Sequence, residues 1–380
     1  MIGSVELVAV IRTILGRLAL IFALGFANVS PALAIPQLLV DMRTGEVLFE
    51  NEAGLPWHPA SLTKLMTAFV TFEAIKAGRV NLDTPVVISA HALEAPPSKV
   101  GFPVDTAIRL EDALYLLIVK SANDVAIAIA ETVGGNEGQF ITEMNNTAQR
   151  LGLSATHFVN PNGLHDPAQT TSARDLAVLS LTIRSRYSQY DELFETASIK
   201  LGKARLRSYN NLLTHFRGTT GMKTGYVCSS GLNIVATVER DGRALMAIVL
   251  GGSSARERGE LAAQMVLDGL SGSARGNGRN VVALVNRTGS VPADMRPLIC
   301  GKKAKAYVAK RAKEFPFGLE GEQTYLTDDV AGLQRKVSTL GQVRVVPIPR
   351  PRPLWAPGSR VSVAASIPLP RPRPLFRAGL

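Results

Sequence analysis

The hydrophobic period of this chain changes three times, and the order of those changes limits what it can fold into. Residues 37–42 (QLLVDM) and 46–50 (EVLFE) are short apolar runs on either side of Arg43-Thr44-Gly45, which predicts a hairpin. Residues 60–77 then carry apolar side chains at helical spacing, and Gly78 follows as a stop. Residues 110–132 predict two buried helices split by Ser121-Ala122-Asn123-Asp124, and 137–151 and 172–186 predict two more. Past residue 218 the period returns to that of strands, over 219–227, 232–239 and 243–251, with Asp241-Gly242 as a hairpin signal. A last helix is predicted over 256–270. Strands at both ends with helices between them predict an α+β chain. Its terminal strands complete one antiparallel sheet, and its helices form a lobe of their own.

The flanks of that region differ from it. Arg12 and Arg17 precede an apolar run over 18–27, and Ala32-Leu33-Ala34 follows, the pattern of a secretory signal peptide over 1–34. The run is about half of the ~20 residues that a spanning helix needs. An exported chain, periplasmic or associated with the cell envelope, is therefore expected. The net charge of +11 belongs to the other end. Residues 271–380 hold 19 of the 42 basic residues and 6 of the 31 acidic ones, which leaves 1–270 close to neutral. Residues 35–270 are expected as the catalytic domain and 271–345 as a small basic region or extended arm, with a basic helix over 301–315. Residues 346–380 are expected as a Pro/Arg-rich tail without a core. In that tail Ile348-Pro-Arg-Pro-Arg-Pro-Leu-Trp355 is repeated as Leu369-Pro-Arg-Pro-Arg-Pro-Leu-Phe376. Its arginines suit anionic envelope material, and its bland reading is a solvated spacer. Nucleic acid is not expected as a partner of an exported chain.

Three short motifs carry chemistry. Ser61-Leu62-Thr63-Lys64 places a hydroxyl and an amine on one face at the start of a helix. Burial and nearby positive charge let such a lysine act as a base toward the serine, and the helix N-terminus favours the anion that acyl transfer creates. Ser121-Ala122-Asn123 falls in the turn between two buried helices, where a hydroxyl relays a proton and an amide holds a substrate amide or the lysine. Lys223-Thr224-Gly225 lies on a predicted strand whose edge offers backbone groups to an extended peptide. Each motif alone is a weak signal, since each is also an ordinary helix turn, loop or strand end. Two cysteines and five scattered histidines leave no pattern for a metal site, and no cofactor is expected.

In this order the three motifs resemble the serine D-alanyl-D-alanine carboxypeptidases, the low-molecular-mass penicillin-binding proteins. The similarity extends to Pro59–Thr67, Leu114–Ala126, His157–His165, Thr171–Asp175 and Gly221–Gly225. The resemblance implies a β-lactamase-like fold, a five-stranded antiparallel sheet flanked by helices with an inserted helical lobe. It implies Ser61 as the nucleophile, Lys64 as its base, Ser121 as a proton relay and Asn123 as a holder of peptide and lysine. Lys223 and Thr224 would receive the substrate's terminal carboxylate, Gly225 would leave room for the substrate to lie close, and the backbone N–H groups of Ser61 and Tyr226 would form the oxyanion hole. The implied substrate is a peptidoglycan muropeptide, with β-lactams as inhibitors. An arginine of the last helix would help bind the carboxylate; Arg258 aligns better than Arg256, and both stay open. His58 is expected to pack rather than to act.

Cys228 and Cys300 are expected as a disulfide tying 296–303 to the back of the active-site strand, against the alternative of two buried thiols. The chain departs from the family's pattern at its end, where an amphipathic anchoring helix is replaced by the Pro/Arg repeat. Three rival activities share the constellation: a D,D-endopeptidase, a β-lactamase and a non-catalytic penicillin-binding scaffold. Ser121-Ala122-Asn123 in place of Ser-Asp-Asn argues against a β-lactamase, and the complete set of site residues argues against a scaffold.

Overall fold

Successive side chains of the main sheet point to opposite faces, which sorts them into two cores. In a computed structural model of the chain, which describes residues 35–343, strands β1 (Gln37–Asp41) and β2 (Val47–Asn51) form the first hairpin. The signal-peptide reading of 1–34 and the Pro/Arg tail of 346–380 lie outside the described residues. Strands β3 (Pro85–Val87), β4 (Thr106–Arg109), β5 (Thr196–Leu201) and β6 (Ala204–Arg207) follow. Then come β7 (Thr219–Val227), β8 (Gly231–Arg240), β9 (Arg243–Gly252), β10 (Leu333–Val337) and β11 (Thr339–Gln342). The main sheet has five antiparallel strands in the order β2-β1-β9-β8-β7. On β9, Met246, Ile248 and Leu250 face one core, while Leu245, Ala247 and Val249 face the other. A sheet covered on both faces needs apolar residues at every position, which is why β8 and β9 read as continuous runs rather than alternating ones.

The α-helices of six residues or more are α1 (Lys64–Lys76), α2 (Leu110–Tyr115), α3 (Asn123–Gly134), α4 (Glu137–Arg150), α5 (Ala173–Arg186), α6 (Ala255–Ser271) and α7 (Ala304–Glu314). Helices α1 to α5 build the larger core with one face of the sheet, and α6 covers the other face. Helix α1 is buried on nearly every side over Lys64–Phe72, so its sequence carries no polar stripe. The side chains of Ser172 and Ser254 accept the N–H groups of Asp175 and Glu257 and cap α5 and α6. The expected start of the first helix is a 3-10 turn, Ala60–Thr63, that leads into α1. The expected pair over 110–132 is α2, a single wide turn over Leu116–Lys120, and α3.

The region past 270 differs from expectation. Residues 271–343 do not fold apart; they belong to the same compact unit as the rest of the described chain. Strand β10 lies parallel beside β5, and β11 lies antiparallel beside β4. The edges of two small sheets, β10-β5-β6 and β11-β4-β3, are thereby paired. Arg335 fastens this segment to α2, where it pairs with Glu111 at 2.7 Å and lies 5.0 Å from the ring centre of Tyr115. Sequence reading found neither small sheet, because their strands are short and their partners lie far apart in the chain.

Candidate active site

Ser61 sits on the 3-10 turn that opens α1, and the sheet holds that turn from beneath. The Asn233 amide on β8 donates to the carbonyls of His58 and Pro59 at 3.0 and 3.2 Å. Two glycines let other segments touch the turn. A Cβ on Gly225 of β7 would come within 2.9 Å of the Pro59 oxygen and 3.0 Å of the Ser61 nitrogen. A Cβ on Gly163 would meet the Ala60 oxygen at 1.9 Å, and its φ of +84° also favours glycine.

Lys64 lies one turn along and is wholly buried. Its Nζ is 3.1 Å from Ser61 Oγ, 2.7 Å from Asn123 Oδ1 and 2.5 Å from the carbonyl oxygen of Asn162. Burial holds its pKa well below the ordinary lysine value, and the charge of Lys223 lowers it further, while Asp124 pulls the other way. The Asn162 carbonyl belongs to the loop between α4 and α5. Gln169 fixes that loop: its Oε1 accepts the N–H groups of Val159 and Asn160, and its Nε2 donates to Thr63 Oγ1.

Ser121 follows the wide turn in a left-handed conformation, φ +60° and ψ +37°. This local twist ends one helical segment and brings Ser121 and Asn123 to the same cleft. Lys223 Nζ on β7 donates to Ser121 Oγ at 2.9 Å and to the Thr224 carbonyl at 2.9 Å. Burial lowers the Lys223 amine to about 7, with Arg258 as the second cause. Asn123 Nδ2 donates to the Pro96 carbonyl, and Asp124 accepts the N–H groups of Val100 and Gly101, so the loop over 96–101 is tied to the start of α3.

These groups meet in a cleft of about 570 Å³, which Ser61, Ser121, Asn123, Thr224, Tyr226 and Arg258 help to line. Arg258 is buried on α6, donates to the Tyr209 carbonyl at 3.0 Å, and has no hydrogen-bond partner at Nε. Burial lowers its pKa to about 10. Arg256, on the same helix, instead donates to the carbonyls of Phe315 and Phe317. Of the two arginines left open by the sequence, Arg258 is the one at the cleft. The charged side chains at the cleft wall are Lys99, Lys120 and Arg258, with no carboxylate among the lining residues. That composition suits an anionic ligand. Among the described residues, no group of three His, Cys, Asp or Glu side chains is placed to hold a metal.

The Cys228 and Cys300 sulfurs are 1.99 Å apart. Their position corrects the expectation of a tie at the back of the active-site strand. Tyr226, which lines the cleft, has its hydroxyl 3.2 Å from the Cys300 sulfur, so the bridge lies beside the cleft mouth. His58 is buried, shares a hydrogen bond with the Gln169 carbonyl and packs edge-on against His165, as expected of a packing residue. Sequence reading missed Asn162, Gly163, Gln169 and Asn233. Asn162 acts through its backbone, which no side-chain motif marks. The turn-rich stretch over 156–163 was the only available signal for that loop.

Comparison with known proteins adds three findings. A family model described as D-alanyl-D-alanine carboxypeptidase matches residues 29–254. The D-alanyl-D-alanine carboxypeptidase DacD of Escherichia coli is 34% identical over 236 residues, which are 60% of this chain and 61% of that one. The chain thus spans about three-fifths of the length of this curated relative. Among solved structures, the D-alanyl-D-alanine carboxypeptidase DacD of Francisella tularensis aligns with a TM-score of 0.61 at 26% identity, covering 64% of this chain and 72% of that one. Penicillin-binding protein D2 of Listeria monocytogenes, solved in a cefotaxime-bound form, aligns with a TM-score of 0.57 at 29% identity, covering 63% of this chain and all of that one.

Proposed function

This chain belongs to the D-alanyl-D-alanine carboxypeptidase family, and on that premise we propose that it hydrolyses the terminal D-Ala-D-Ala bond of peptidoglycan stem pentapeptides through an acyl-enzyme on Ser61. The observation that carries the reading is the set of partners around Lys64. A neutral lysine amine has two hydrogens and one lone pair. The carbonyls of Asn123 and Asn162 can only accept, so they take the two hydrogens and leave the lone pair for the Ser61 hydroxyl. Burial favours that neutral form.

In the proposed reaction Ser61 Oγ attacks the carbonyl of the penultimate D-alanine while its proton passes to Lys64 Nζ. The developing oxyanion is received by the N–H groups of Ser61 and Tyr226. The amide of Asn123 holds the peptide and Lys64. The Oγ of Ser121 relays a proton to the leaving amine, with Lys223 beside it. Lys223, Thr224 and Arg258 receive the terminal carboxylate through charge-assisted hydrogen bonds, and Gly225 lets the peptide lie close to β7. Water then takes the acyl group and regenerates Ser61. β-Lactams would enter the same cleft and acylate the same oxygen.

We read residues 1–34 as an export signal, which places this activity in the periplasm or cell envelope, and the basic tail as a contact for anionic envelope material or a spacer. No helix among the described residues is long and apolar enough to cross a membrane. The test is the intact mass of the mature chain after mixing with penicillin, followed over time beside Ser61→Ala. A lasting one-to-one adduct on the unmodified chain alone is expected. An adduct that vanishes within seconds as hydrolysed drug accumulates would move the reading to a β-lactamase. No adduct on either form would end the acyl-enzyme reading.

A further inference from the structure

Helix α6 turns Arg258 toward the cleft and its neighbours toward the C-terminal segment. Glu257 is fully buried. Its Oε2 accepts from the Ser253 backbone N–H at 2.7 Å and the Ser253 hydroxyl at 2.5 Å. Its Oε1 accepts from Arg311 of α7 through Nε at 2.8 Å and Nη2 at 2.5 Å. Arg256 donates to the carbonyls of Phe315 and Phe317. Glu260 accepts from the Thr324 hydroxyl at 2.5 Å and the Tyr325 N–H at 2.8 Å. Three side chains of one helix turn therefore grip residues 311–325. The start of the same segment is fixed to the other wall. Met295 donates to the Ser229 carbonyl at 2.9 Å, and Cys300 is bonded to Cys228 just past β7.

We propose that residues 295–325 are a brace for the carboxylate end of the cleft, with Arg311 and the Cys228–Cys300 bridge as positioning groups that hold Arg258 of α6 at a fixed place relative to Thr224 of β7. The proposal rests on the reading that Arg258 receives the terminal carboxylate. Two donors on separate elements bind one carboxylate well only if their separation is fixed, because geometry that loosens by ~1 Å forfeits much of a charged hydrogen bond. Helix α6 packs on β9 and β8, and β8 pairs with β7, so the sheet already links the two. The brace adds a covalent fixture on the strand side and, on the helix side, an ion pair from the half-buried Arg311 to the buried Glu257.

The experiment compares kcat/KM for an acyl-D-Ala-D-Ala substrate with that for its C-terminal amide. The ratio reads carboxylate recognition and cancels a general loss of folded enzyme. The full chain, Arg311→Gln, Arg311→Lys, the double variant Cys228→Ser/Cys300→Ser, and Arg258→Gln are measured below their melting temperatures. Arg311→Gln is expected to lower the ratio at least about tenfold while kcat on the amide stays within about twofold. Arg311→Lys, which keeps a charge within reach of Glu257, is expected to recover part of it. The cysteine double variant leaves no buried charge unpaired, so it decides the question if Arg311→Gln does not fold; it too is expected to lower the ratio. A full ratio in the folded variants that have lost a brace contact would overturn the brace while leaving the role of Arg258 intact. A full ratio in Arg258→Gln would overturn the carboxylate reading itself, and the brace with it.

Discussion

Lys64 and Lys223 are two buried amines on facing elements, one beside Ser61 and the other beside Ser121. The charge of Lys223 is the second cause of the low pKa of Lys64, after burial. Protonation of one amine therefore disfavours protonation of the other. The signs follow from their proposed roles. Lys64 acts as a base only when neutral, so kcat/KM should fall as pH drops through its lowered pKa. Lys223 attracts the carboxylate only when protonated, so kcat/KM should fall again as pH rises through about 7. A bell-shaped profile is the expected outcome. In Lys223→Met the alkaline limb should vanish and the acid limb should move to higher pH, because the cation that helped to lower Lys64 is gone. An unmoved acid limb in that variant would show that the two amines do not interact.

At the scale of elements, the site depends on how closely β7 approaches the turn that opens α1. Gly225 is the contact, with Ser61 nitrogen 3.0 Å from where a Cβ would stand. The Pro59 oxygen, at 2.9 Å, is backbone and has no side-chain freedom with which to yield. Gly225→Ala should push β7 away from the nucleophile turn. Acylation by penicillin should then slow by about 100-fold or more, as when an oxyanion donor is lost. The sheet core lies beyond this contact, so the near-ultraviolet circular dichroism of the variant should match the parent. Unchanged acylation would show that the turn can shift without cost. Gly163 presses on the same turn from the loop side, so the turn that carries Ser61 is held between two glycines on separate elements.

For the whole molecule, the segment after α6 closes edges that the main body leaves open. Strands β10 and β11 pair with the edges of β5 and β4, and Arg335 and the Ser338 N–H reach the carboxylates of Glu111 and Asp112 on α2. Burial raises the pKa of Asp112, and the hydrogen bond from Ser338 opposes that rise. A chain ending at Gly332 should lose these contacts and expose two strand edges. Its Tm should fall by about 5 °C or more, and it should aggregate on heating faster than the full chain. An equal Tm and equal light scattering would show that the two strands only rest on the surface.

The sequence by itself determined the order of strands and helices in the main body, because continuous apolar runs and helical spacing are local signals. The run over 243–251 is β9, and the apolar stretch after Lys64 is α1. It also determined which residues could do chemistry, because hydroxyls, amines and amides at S-x-x-K, S-x-N and K-T-G are visible as letters. Only the tertiary structure decided how those letters meet. Lys64 gains its burial and its bond to the backbone carbonyl of Asn162, 98 positions away, from packing alone, and no motif encodes that carbonyl. The choice of Arg258 over Arg256 rested on the rotation of one helix against the cleft, which spacing of two residues leaves undecided. The place of the Cys228–Cys300 bridge at the cleft mouth, and the return of residues 333–342 to two distant strand edges, rest on long-range packing. Such contacts join residues far apart in the chain, and their energy comes from surfaces and edges that exist only once the rest has folded.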